Sequence, residues 1–194
     1  MSFFANKQSL VADILSRYPA HRKRSAVMPL LREVQTAEGF VSDARVVEIA
    51  QIIESTPTEV KSVMSFYSTY SSSPTGKYHL QVCMTLSCAL AGSDQLWDYL
   101  CETLDIGVGD VTPDGLFSVQ RVECLGSCGT APVMQVSDTG YYECLTKKRL
   151  NILLEQMKNG VLPDSDTRAP VFVQKTGDFV QQCTADGQLA GGNL

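Results

Sequence analysis

Four cysteines stand in two tight pairs, Cys83 and Cys88 in VCMTLSC and Cys124 and Cys128 in ECLGSCG. Four residues lie inside the first pair, thirty-five between the pairs and three inside the second. Each pair is close enough for one loop to present two thiolates to the same centre. Four thiolates from two loops suit a single metal centre, either an iron–sulfur cluster or zinc. A binuclear iron–sulfur cluster takes two thiolates on each iron, so a two-plus-two supply matches it. Structural zinc sites tolerate the same spacers, but they usually staple domains too small to build a core. Spacing alone therefore favours the cluster and leaves zinc as the alternative. Thiol–disulfide exchange is disfavoured, because the chain has no Cys-x-x-Cys.

A tetrathiolate cluster is anionic, so its loops must bring backbone N–H groups to the sulfurs. Thr85, Gly126, Ser127 and Gly129 are small enough for that approach, and glycine also permits positive φ. Val82, Leu86, Leu90, Leu125 and Val133 are expected to exclude water around the sulfurs.

The pairs need strands to deliver them. Tyr78–Val82 alternates as a strand ending at Cys83, and Phe117–Val122 is a second strand that delivers Cys124. Between them, Leu96, Trp97, Leu100, Cys101 and Leu104 share one face of a helix opened by Gly92 and Ser93. Pro132–Val136 and Tyr141–Leu145 flank the turn Ser137-Asp138-Thr139-Gly140 as a hairpin. Thr146 then caps a closing helix through Leu150, Leu153, Leu154 and Met157, which ends at Gly160. Strand, helix, strand, hairpin, helix is the thioredoxin-like order, and it places both cysteine loops at one end of the sheet.

Residues 1–72 read differently, as a helical bundle. Leu10, Val11, Ile14 and Leu15 form one stripe, closed by Pro19. Val27, Leu30, Leu31 and Val34 form a second, with Gly39 as its C-cap. Val46–Ile53 gives a third helix after Ser42 or Asp43. Thr56-Pro57-Thr58-Glu59 announces a fourth through a capping box with proline at N1, its inner face carrying Val60, Val63, Met64 and Tyr67. Ser71-Ser72-Ser73-Pro74-Thr75-Gly76 marks the boundary. The fold class is thus α+β: a helical bundle over 1–72, a thioredoxin-like α/β domain over 76–160, and an extended tail over 161–194 with a short strand at Val171–Val173.

The formal charge of −5 over 194 residues argues against a nucleic-acid surface or an anionic membrane, which need clustered Lys and Arg. The one basic cluster, His21-Arg22-Lys23-Arg24, reads as a solvated helix entry. A helix-turn-helix around Thr56 is disfavoured, since the fourth helix offers only Lys61 to phosphate. No apolar run reaches the length of a membrane span, and the N-terminus lacks a basic segment followed by an apolar core. A cytoplasmic location is expected.

With these residues in hand the chain resembles a known family. RVECLGSCGTAPV, from Arg121 to Val133, is similar to the second cluster loop of the E-type [2Fe-2S] subunits of bacterial NADH:quinone oxidoreductase (respiratory complex I). Three further stretches carry the resemblance. They are Met28–Leu31 with Val34-Gln35 and Glu38-Gly39, Thr56–Val60 with Ser65-Phe66-Tyr67, and Gly76–Cys83. It covers roughly residues 5–160 and lies nearest to the subunits of thermophile-type complexes. The resemblance implies a [2Fe-2S] cluster on Cys83, Cys88, Cys124 and Cys128. It also implies a larger partner flavoprotein that binds FMN and NADH, with the cluster exchanging one electron near the flavin, peripheral to the cytoplasmic face of the membrane. Independently, the chain has no G-x-G-x-x-G and no P-loop, so nicotinamide and flavin chemistry is expected on another polypeptide. Subunits of NAD-linked hydrogenases and formate dehydrogenases are similar and stay open as hosts.

The remaining residues read as packing. Cys101 is expected in the core. Cys144 is expected to be a packed thiol, or else disulfide-bonded to Cys183 of the tail. His21 and His79 are expected to be packed or surface residues, not ligands. Phe66, Tyr67 and Tyr70 are expected in the core, with partner docking as the alternative.

Overall fold

The computed structural model describes residues 2–137 and 140–165. It divides into two compact units, the second beginning at Gly76. The expected strand at Val171–Val173 and most of the tail lie outside the described residues.

The first unit is helical. Helix α1 spans Gln8–Ser16, and after Pro19 the chain turns through a 3₁₀ segment, Ala20–Ala26, before α2, Val27–Glu38. Gly39, at φ 81°, ends α2 in the left-handed conformation that glycine adopts without a Cβ penalty. Helix α3 spans Asp43–Ile52, and α4 spans Pro57–Phe66. Their apolar stripes meet in one core that includes Ile14, Leu30, Leu31, Val34, Val46, Ile49 and Val60. The N-terminal segment is tied to this bundle by Glu48, whose carboxylate accepts from the Ser2 hydroxyl and the backbone N–H groups of Phe3 and Phe4. Arg45 lies between Glu38, at 2.7 Å, and Glu48, at 3.1 Å. Two residues of the basic cluster form ion pairs, Lys23 with Glu54 and Arg24 with Glu59, and Lys61 pairs with Asp43.

The capping box of α4 forms as the sequence predicts. The Glu59 N–H donates to Thr56 Oγ1 at 3.3 Å, and Glu59 Oε2 accepts from the Thr56 N–H at 3.0 Å. Donation from the Ser55 hydroxyl, then from the Thr56 N–H and hydroxyl, holds the Glu59 carboxyl at about 2, against an ordinary 4.5. A depressed folded-state value stabilises the fold above about 4.5, and that contribution is lost as pH falls towards about 2. Thr56→Ala is therefore expected to cost about 1 kcal/mol. Glu59→Gln should flatten the dependence of stability on pH in that window. Denaturant titrations across the acid range check both, and an unchanged acid limb in Glu59→Gln contradicts the capping account.

Two aromatic assignments are overturned. Phe66 is 79% exposed and Tyr67 41% exposed, so neither belongs to the core. The cause is where α4 stops: Phe66 is its last residue and Tyr67 leaves it in an extended conformation, so the helical period no longer sets their facing. Their rings stack edge to face at 4.9 Å. Tyr70 does pack against the core, with its hydroxyl donating to the Met28 carbonyl.

The second unit is built on a four-stranded mixed sheet in the order β2-β1-β3-β4. Strand β1 is Tyr78–Cys83, β2 Phe117–Val122, β3 Met134–Val136 and β4 Gly140–Tyr142. β1 runs parallel to β2, with Tyr78 opposite Phe117 and Cys83 opposite Val122. β3 is antiparallel to both β1 and β4. Between β1 and β2 lie a short helix, α5, Leu86–Leu90, and α6, Ser93–Leu104. Helix α7 spans Lys147–Lys158 behind a Thr146 cap that accepts from the Arg149 N–H. Leu96, Trp97 and Leu100 of α6 and Leu150, Leu154 and Met157 of α7 join Leu80, Val82, Val119 and Met134 in one core. Arg121 closes its edge, with its guanidinium 4.9 Å over the Trp97 ring. Cys101 is only partly buried at the margin of this core, not enclosed within it as expected.

Candidate metal centre

Parallel pairing of β1 with β2 makes both strands end on the same side of the sheet, and this brings the cysteine loops together. Cys83 is the last residue of β1, and Cys124 follows β2 by two positions. Met84 N–H donates to the Val122 carbonyl at 3.1 Å and Cys83 N–H to the Val133 carbonyl at 3.0 Å, so the strand end is fixed on both sides. Cys88 sits in α5, where the short helix turns its thiol inward. The 3₁₀ turn Cys128–Thr130 carries the fourth thiol.

The sulfurs come in pairs. Cys124 Sγ lies 3.4 Å from Cys128 Sγ, and Cys88 neighbours Cys83 closely enough to shift its thiol. Cys83 and Cys88 are buried together with Val133, and Leu125, Ala131 and Tyr141 pack partly against them. Cys124 and Cys128 are exposed. Among the described residues, no three or more His, Cys, Asp or Glu side chains surround the position of one metal ion.

One sulfur of each pair is well supplied with donors. Burial pushes the Cys83 thiol up, but the Thr85 hydroxyl, 3.2 Å away, and the N–H groups of Thr85 and Leu125 outweigh it, so its net shift is downward. The Gly126 N–H, 3.4 Å from Cys124 Sγ, lowers that thiol, with Cys128 and Thr85 assisting. Gly126 holds φ 82°, the backbone needed to turn its N–H back onto the sulfur. Burial, then the neighbouring Cys83, raises Cys88 to about 12, and Cys124 raises Cys128. One thiol in each pair is thus held as the easier thiolate and its neighbour as the harder, as two like charges side by side require. A cation that relieved both pairs would be bound with release of their protons. The donor set, four thiols with backbone N–H groups aimed at sulfur, fits an anionic iron–sulfur cluster.

Two residues expected to shield the site do not. Leu86 is 75% exposed and Leu90 81% exposed, whereas Val82 and Val133 are buried and Leu125 partly so. Leu86 and Leu90 stand one helical turn apart on α5, and Cys88 between them takes the inward side, so both leucines face out. His79 lies away from the thiols, its ring nitrogens 2.8 Å from Ser118 Oγ and 2.9 Å from Gln120 Oε1. Cys144 is disulfide-bonded, not a free thiol, and Cys183 lies outside the described residues.

A second layer, unmarked by any motif, lies beneath the Cys124–Cys128 loop. Ser127 Oγ donates to Glu143 Oε1 and lies 2.9 Å from Thr130 Oγ1, while the Cys144 N–H donates to the Thr130 carbonyl at 2.7 Å. A glutamate a few residues past a hairpin turn ordinarily faces solvent, so no pattern singled it out.

Residues 11–158 match the thioredoxin-like [2Fe-2S] ferredoxin family. The chain is 59% identical over 160 residues to NADH-quinone oxidoreductase subunit 2 of Thermus thermophilus, covering 82% of this chain and 88% of that one. It is 38% identical over 159 residues to the E-type subunit of NADH-quinone oxidoreductase from Rickettsia bellii, covering 81% and 95%. Among solved structures, it is similar to a chain of an NAD+-reducing [NiFe]-hydrogenase, with a TM-score of 0.55 and 22% identity. The match covers 68% of this chain but only 23% of the hydrogenase chain, so it speaks for the fold alone. The match over residues 11–158, with two cysteine loops at one end of a thioredoxin-like sheet, makes this chain a member of the thioredoxin-like [2Fe-2S] ferredoxin family.

Proposed function

We propose that the chain is an electron-transfer subunit of the NADH dehydrogenase module of a respiratory NADH:quinone oxidoreductase. Cys83, Cys88, Cys124 and Cys128 hold its [2Fe-2S] cluster, which exchanges one electron with FMN on a partner flavoprotein. The observation that carries this reading is the meeting of two cysteine pairs at one end of β1 and β2, with the Gly126 N–H on Cys124 Sγ and the Thr85 hydroxyl beside Cys83 Sγ. Two pairs suit two irons with two thiolates each, better than one tetrahedral ion. When bound, the cluster supplies one-electron capacity. The chain's own residues contribute ligands, hydrogen bonds to sulfur and the buried floor of Val82 and Val133.

The names of the relatives favour this host. NADH and FMN are assigned to the partner, since no dinucleotide fingerprint or P-loop is present in the sequence. Among the described residues no helix is long and apolar enough to cross a membrane, in keeping with a peripheral position on the cytoplasmic face.

The test is reduction by NADH. Cluster-loaded chain mixed with the flavoprotein subunit should be reduced by NADH to a paramagnetic one-electron state, and without that flavoprotein it should stay oxidised. Reduction by NADH in the absence of any partner contradicts the division of labour. So does a cluster that dithionite reduces and the NADH-charged flavoprotein does not.

A further inference from the structure

Glu143 is a carboxylate with only 5% of its surface exposed, placed beneath the second cysteine loop. Its Oε1 accepts the Ser127 hydroxyl, and Ser127 immediately precedes Cys128. Thr130, itself buried, closes the bracket: its hydroxyl donates to the Ser127 carbonyl at 3.1 Å and its N–H to the same carbonyl at 3.2 Å. From the other side, Cys144 N–H holds the Thr130 carbonyl at 2.7 Å, and the Arg149 guanidinium holds the Glu143 carbonyl at 2.5 Å. Cys144 takes φ 50°, a left-handed conformation that a non-glycine residue keeps only where its surroundings over-determine it. The chain leaving β4 is thus pinned so that Glu143 turns inward under the loop. Burying a carboxylate is costly unless it is hydrogen-bonded and paired, and packing alone would be served by an apolar residue.

We propose that Glu143 is a positioning residue for the cluster site, holding the Cys124–Cys128 loop through Ser127 and placing a buried negative charge close behind it. This rests on the four-cysteine reading above. Reduction adds an electron to an already anionic centre. A fixed negative charge nearby disfavours that step, so Glu143 sets the cluster's reduction potential lower than the loop alone would. Ser127 supplies the mechanical half, since its hydroxyl joins the carboxylate to the backbone beside Cys128.

Two variants separate charge from bracket. Glu143→Gln keeps shape and hydrogen-bonding capacity but removes the charge. In the cluster-loaded full chain, potentiometric titration followed by paramagnetic resonance should show a higher potential, with the one-electron equilibrium shifted on the order of tenfold, or about 59 mV. A merely structural role would not move that midpoint. Ser127→Ala keeps the charge and breaks the bracket. It should lose iron to a chelator several-fold faster than wild type, at a potential closer to wild type than that of Glu143→Gln. Glu143→Gln with wild-type iron and sulfide content and a wild-type midpoint overturns the inference, as does Ser127→Ala losing iron at the wild-type rate. A wild-type chain that takes up no iron or sulfide at all is a different failure, that of the cluster reading itself.

Discussion

Cys124→Ala is expected to lose the visible absorbance and the reduced-state paramagnetic signal completely, whereas Cys101→Ala keeps both. On the proposed ligand set Cys124 shares an iron with Cys128, 3.4 Å away, so removing its sulfur would leave that iron with a single protein thiolate. Thr85 offers only a hydroxyl, and His79 is engaged with Ser118 and Gln120 on β2. The exposure of Cys124 also means that its deletion creates no cavity, so the fold should survive the loss of the site. Circular dichroism on the bleached variant checks that the chain is still folded. Cys101 packs partly against the core that holds Trp97 and Leu104, towards the far end of α6 from its start near the loops, and its replacement should cost stability only. Retention of a wild-type signal in Cys124→Ala would remove Cys124 from the ligand set.

The second large effect concerns a residue with no side chain. Gly76→Ala is expected to destabilise the second unit by about 1–3 kcal/mol, against the modest gain that Gly→Ala gives where the backbone allows it. A Cβ at position 76 would stand 2.5 Å from the Phe117 carbonyl carbon, 2.8 Å from Ser118 N and 2.9 Å from Leu116 O. All three belong to the backbone entering β2, and no flexible side chain can move aside. The Gly76 N–H also donates to Ser118 Oγ, and the next two residues open the β1–β2 pairing, Lys77 onto Gly115 and Tyr78 onto Leu116. Forcing this end apart disturbs the parallel register that aligns Cys83 with Val122. Gly39 is the control: a Cβ there meets nothing within 4 Å, so Gly39→Ala should cost only the positive-φ penalty, about 1–2 kcal/mol. Denaturant midpoints decide, and a Gly76→Ala chain as stable as wild type contradicts the close approach.

What could be read from the residues alone was local. The capping box at Thr56 and Glu59, the C-cap at Gly39 and the strand that ends at Cys83 each depend on a few adjacent residues, and each formed where expected. The strand–helix–strand order was enough to place both cysteine loops at one end of the sheet. The misreadings share a cause. Phe66 and Tyr67 fall close to the α4 stripe, but the helix ends under them, and helix ends are set by backbone geometry that periodicity does not see. Helix α5 has five residues, too few to show a period, so its outward pair Leu86 and Leu90 read as shielding merely from their nearness to Cys88. Glu143 belongs to the site only through a contact sixteen positions away in sequence, and such contacts leave no mark on a single chain.

Iron, acid-labile sulfide and zinc measured together on the anaerobically purified chain test the cluster assignment most directly. About two irons and two sulfides per chain with no zinc are expected from paired thiolates around a binuclear centre. Stoichiometric zinc, with neither iron nor sulfide, would contradict it.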